Sequence, residues 1–211
     1  MTTPLLIGGA IGAIGFVLVF LIDGATRPGY RPAYHPVSAL SLGDRGWIQT
    51  TNFIVTGLLL LGAATALGIA TDGGASSVVG AILIGIVAVG VVVSGVFAMD
   101  PMRGYPPGTA EGDPDPLSTH HKIHDAAGPV VFGVLPLACF AMTWSFASAP
   151  AEPGWALYSG VSGGALTVLV VLFARAWQRG DPYSGLIQRG YLVIGWAWLA
   201  AIFISFAGRS G

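Results

Sequence analysis

Charge is scarce in this chain. Only 9% of its 211 residues are Asp, Glu, Lys or Arg, against about 25% in an ordinary soluble domain. So few charges cannot cover a water-facing globule of this length, which excludes a soluble domain and leaves the membrane. The charges nearly cancel, at a formal net of −1. Nucleic acid, which requires a basic surface, is excluded as a partner. Cysteine occurs once, as Cys139 within an apolar run. No internal disulfide can form, and the thiol reads as a buried core group. Lysine also occurs once, as Lys122 in a polar stretch, which weighs against a retinal Schiff base. Histidine occurs four times, and three of the four stand together in "DPLSTHHKIHD", just ahead of a long apolar run.

Apolar length is what the chain has in quantity. Hydrophobic residues make up 54% of it, sorted into six runs. A bilayer core requires about 20 residues of helix. Stretches 4–22, 47–69, 78–99, 124–147, 155–177 and 185–207 meet that demand. The expected fold class is all-α, a polytopic integral membrane bundle of six transmembrane helices forming one domain over residues 1–211. The first stretch lacks a basic lead and a clear small-residue cleavage site, so it is expected to be a retained span. Gly8 and Gly12, and Gly160 and Gly164, have the spacing that lets helices pack closely. Pro129 and Pro136 are expected to kink the fourth helix.

The basic residues orient the bundle. Arg27, Arg31, Arg45, Arg103, Lys122, Arg175, Arg179 and Arg189 belong to the connections after spans one, three and five, or just inside the sixth helix. Only Arg209 falls at the other end. Basic residues stay in the cytoplasm. The expected placement is a multi-pass protein of the bacterial inner (plasma) membrane, with both termini outside and short external turns at "TDGGASS" and "SAPAEPG". All four histidines, His35 included, and most acidic residues then lie at the cytoplasmic mouth.

Several polar residues reach into the bundle from that mouth. Gln49, Asn52 and Thr56 are three and four apart and share one helix face. A polar group at the depth of Asn52 should face protein or water rather than lipid. Asp100 closes the third span ahead of Pro101, His124 opens the fourth, and Arg189 opens the sixth. Gln49, Asn52, Asp100, His124 and Arg189 are therefore the expected ligand-binding residues. Asp100 is expected to pair with His124 or Arg189 in one cavity. His124 is expected to be the buried histidine, with His120 and His121 more solvated.

The order of these signals resembles a known family. "HPVSALSLGDRGW" precedes span two, Asn52 lies within it, and "SGVFAMDP" closes span three. A loop ending in "HHKIHD" follows, and "GLIQRGYLVIGW" opens span six. This resembles the bacterial domain-of-unknown-function 998 family, over most of the chain. The resemblance implies a six-helix architecture. It carries over Ser38, Ser41, Gly43, Asn52, Gly95, Phe97, Asp100, His124, Gln188 and Arg189, and no activity. The long third loop, "MRGYPPGTAEGDPDPLSTHH", departs from the family pattern. A fainter similarity is to the Frag1, damage-regulated autophagy modulator and Sfk1 group.

Two functions compete on these residues. The first is binding or sensing of a lipid or other small amphiphile at the cytoplasmic mouth, with Arg189 holding an anionic group. The alternative is a metal-dependent membrane hydrolase, with His120, His124 and Asp100 around one zinc. The fuller set of helix-borne histidines found in alkaline ceramidases is absent. No cofactor is expected, since no histidine lies mid-span to ligate haem. No ionisable residue lies deep in a span to mark a transport path. The bilayer is the expected partner.

Overall fold

The structure, a computed structural model, describes residues 2–71, 74–149 and 152–209. Residues 72–73 and 150–151, in the two expected external turns, lie outside the described residues. Six α-helices account for most of the described chain: α1 (Thr2–Thr26), α2 (Gly46–Ala70), α3 (Ala75–Val96), α4 (Thr119–Ala147), α5 (Pro153–Gln178) and α6 (Ser184–Arg209). Each is long and apolar enough to cross a membrane. A 3-10 helix, Val37–Ser41, interrupts the first loop.

Each helix packs against its neighbours in sequence, and α6 closes the ring against α1. Small residues set the closest approaches, as apolar helices without a hydrophobic driving force require. A Cβ on Gly57 would stand 2.9 Å from the Ala88 carbonyl oxygen of α3. Gly8 and Gly12 both face Leu59 of α2. α6 is the most enclosed helix. Trp196 and Trp198 are fully buried, and Phe16 of α1 stacks on Trp196 with ring centroids 5.1 Å apart. The outer faces carry Ile11, Ile22, Leu58, Ile69 and Val161, all exposed, as a lipid-facing surface requires.

α4 runs unbroken through Pro129 and Pro136. A proline removes the amide that would bond the carbonyl four residues earlier. For Pro136 that carbonyl belongs to Phe132. The Tyr191 hydroxyl of α6 donates to it at 2.9 Å. A neighbouring helix thus supplies the donor that the proline lacks.

Helix ends differ from the sequence expectation by up to five residues, and two of them bear on the site. α3 stops at Val96 rather than Met99, and α4 starts at Thr119 rather than His124. Ser118 is the reason for the second. Its Oγ accepts from the His121 amide at 3.1 Å, an N-cap that starts the helix early.

Candidate functional site

The loops after α1, α3 and α5 lie at one end of the bundle. The first and third fold against each other as a cap. Buried aromatic side chains form its centre: Tyr30 and His35 each lie 5.3 Å from Tyr105, ring centroid to centroid. The sequence "RPGYRPAYHP" supplies Tyr30, Tyr34 and His35 from one repeated Arg-Pro-x-Tyr pattern. The His35 Nδ1 accepts the Arg31 amide at 2.9 Å. Its other nitrogen, Nε2, must then carry the proton and donates to the Arg103 carbonyl at 3.0 Å. Burial lowers the His35 pKa, and nearby Arg31 and Arg189 act in the same direction. Burial also pushes the Tyr30 phenol up to about 12, although Arg189 beside it acts in the opposite direction. The Arg103 guanidinium lies 3.6 Å over the Trp177 ring, which ties the third loop to the end of α5.

Charged side chains fasten each helix junction at this end. At the first, Asp23 is 3% exposed and bonds both Arg27 (2.5 Å) and Arg45 (2.6 Å). Arg27 also donates to the Leu40, Leu42 and Arg45 carbonyls and to Tyr105. At the junction with α6, Arg189 donates to the Pro32, His35 and Gly185 carbonyls and to the Tyr30 hydroxyl. Gln188 accepts the Val37 amide at 2.7 Å. The approach is so close that a Cβ on Gly185 would stand 2.5 Å from the His35 carbonyl oxygen. Glycine is required there for space.

The three clustered histidines belong to the α3–α4 junction. The Asp100 amide donates to His121 Nδ1 at 2.9 Å, so the imidazole proton sits on Nε2, 3.2 Å from Asp125. The Asp100 carboxylate accepts the Ser118 amide at 2.8 Å and lies 3.6 Å from the same ring. Burial raises the Asp100 pKa, but the bonds from Ser118 and the neighbouring His121 and His120 outweigh it and hold the carboxyl below its ordinary value. His124 takes the opposite tautomer. Its Nδ1 meets only carbonyls, Phe97 at 2.8 Å and Ser94 at 3.2 Å, and must donate to them. It therefore caps the last turn of α3, whose carbonyls have no helical partner.

The expected ligand-binding residues bond different partners. Asn52 faces α1, donating to the Phe16 carbonyl at 3.2 Å and to Gln49 at 3.2 Å. Arg189 is committed to the first loop. The imidazole beside Asp100 is that of His121, rather than His124, and Arg189 is not its partner. His121 is also the most buried of the three histidines, whereas His124 is half-buried and His120 exposed. The correction follows from the N-cap: starting α4 at Thr119 puts His121 in its first turn, on the same face as Asp125. Among the described residues, no three His, Cys, Asp or Glu side chains are grouped to hold a metal ion. His120, His124 and Asp100 point to separate partners. Sequence reasoning missed Asp23, Arg27, Tyr30 and Tyr105. The i, i+4 spacing of Asp23 and Arg27 at the end of an apolar run was the available signal.

Four buried side-chain groups, Ser41 Oγ, Gln49 Nε2, Arg103 Nη1 and Trp196 Nε1, have no hydrogen-bond partner among the described residues. An apolar concavity lies elsewhere. It is a groove of about 530 Å³ on the lipid-facing side, between α2, α3 and α4. Leu61, Gly85, Ile86, Gly90, Ile123 and Ala126 are among its walls, and its lining is almost wholly apolar. Its upper end reaches the fastened α3–α4 junction.

No curated protein and no solved structure matches the chain. Residues 10–205 match the family described as protein of unknown function, DUF998. The match covers nearly the whole six-helix bundle, and the chain belongs to that family.

Proposed function

We propose that this protein binds a lipid or other small amphiphile at the capped end of the bundle, and that this end faces the cytoplasm of a bacterial inner membrane. The observation that carries the reading is the apolar groove between α2, α3 and α4. A volume of about 530 Å³ lies within the range typical of ligand pockets. In this reading Asp100 and His124 hold the groove's mouth by locking α3 to α4. Gln49, Asn52 and Arg189 keep α1, α2 and α6 in register with it. All five act on the ligand by positioning the walls.

Gly85 gives the test. A Cβ there would meet Ala64 and Leu61 at 3.9 Å, ordinary contact, so Ala is tolerated and Leu projects into the groove. Native mass spectrometry after gentle detergent extraction should find lipid retained by the wild type and by Gly85→Ala. Gly85→Leu should retain little. Equal retention in all three would remove the groove as the binding site.

A further inference from the structure

We infer that the groove's occupant is an anionic phospholipid of the leaflet at the capped end, with its head group held by Lys122. This rests on the groove being the binding site. Its length fixes the leaflet. On α3 the groove runs from Val93 to Ile82, about 16 Å at 1.5 Å per residue. That is about half of a 30 Å hydrocarbon core. The groove therefore extends from the capped interface to the mid-plane and accepts an acyl chain from that side alone.

The helical phase of α4 fixes the charge at the mouth. Ile123, Ala126, Ala127 and Val130 line the groove. At 100° per residue, Lys122 sits one turn above Ala126 and about 40° from it. His120 sits two turns above Ala127 and about 20° from it. Both side chains are exposed. Lys122 is the only lysine in the chain and forms no ion pair among the described residues. The nearest acid on the helix, Asp125, lies about 100° from the same Ala126 and is paired with His121. Asp100 is bonded to Ser118 and faces the same histidine. The two carboxylates are thus directed to the α3–α4 junction. The ammonium is left at the groove's rim, where a phosphate at the end of a chain lying in the groove would meet it. His120 adds a ring nitrogen within the same turn.

The test uses the full-length protein in nanodiscs of phosphatidylcholine and phosphatidylglycerol in equal parts. The protein is released into mild detergent, and bound lipid is counted by native mass spectrometry. The wild type should retain phosphatidylglycerol over phosphatidylcholine by about fivefold, the factor expected of one lysine near an anionic surface. Lys122→Gln should retain as much lipid in total, with the preference gone. Ala126→Phe, at an exposed position that folding does not require to be small, should reduce both lipids together. A preference that survives Lys122→Gln overturns the head-group assignment. If Ala126→Phe still empties the groove, the binding reading itself stands. Unchanged retention in Ala126→Phe overturns both.

Discussion

Arg27 illustrates how a charge is kept at the edge of an apolar bundle. Its guanidinium and the Asp23 carboxylate are each under 5% exposed, and the pair is surrounded by loop carbonyls that accept the remaining protons. A buried ion pair of this kind adds little net stability, but removing one partner strands the other. Arg27→Ala should therefore destabilise the protein by about 3–5 kcal/mol. Arg45 touches the same carboxylate from a side chain that is 42% exposed. Arg45→Ala should cost about 1 kcal/mol or less. Thermal unfolding in detergent would rank the two variants. Equal losses would mean that Asp23 is not confined as the geometry indicates. Arg189 has the same character, bonded on every side to the first loop. That is why a residue with the right chemistry to hold an anion is unavailable for one.

At the scale of elements, the helices were legible and their fastenings were not. Six apolar runs separated by turn residues can only be read as spans. Asp100, His124 and Arg189 were legible as residues under constraint, because charge at a helix end must be paired or capped. Their partners were not. Pairing depends on helix phase, and the N-cap at Ser118 rotates which histidine faces inwards. The Pro136 gap is a second fastening that only the tertiary structure reveals. If Tyr191 is the donor for the Phe132 carbonyl, Tyr191→Phe should cost about 1–2 kcal/mol in the wild-type background. In a Pro136→Ala background the helix's own amide can bond that carbonyl, and the same substitution should cost measurably less. A double-mutant cycle measures the coupling. Strict additivity would show that the hydroxyl is not compensating for the proline.

The whole molecule is polar at one end and bare along its sides, and this asymmetry supports the proposed orientation, with the polar end in the cytoplasm. Eight of its nine basic residues belong to the capped end. Several of them, Arg27, Arg103 and Arg189, finish buried within the cap. Their later burial does not weaken the orientation argument, because the choice is made while the chain is being inserted and the loops are still in water. The opposite orientation would carry loops 27–45 and 97–118, with their arginines, across the bilayer. The other orientation moves only short turns and the termini. Exposed Trp47 and Tyr183 at the capped end and Trp144 at the other suit the two interfaces equally and do not decide between them. Reporter fusions within loops one and three should therefore read as cytoplasmic, and a fusion after Arg209 as external. If loop three reads as external instead, the groove opens to the outer leaflet. Its lipid would then have to be one found there, and the cap would face the periplasm.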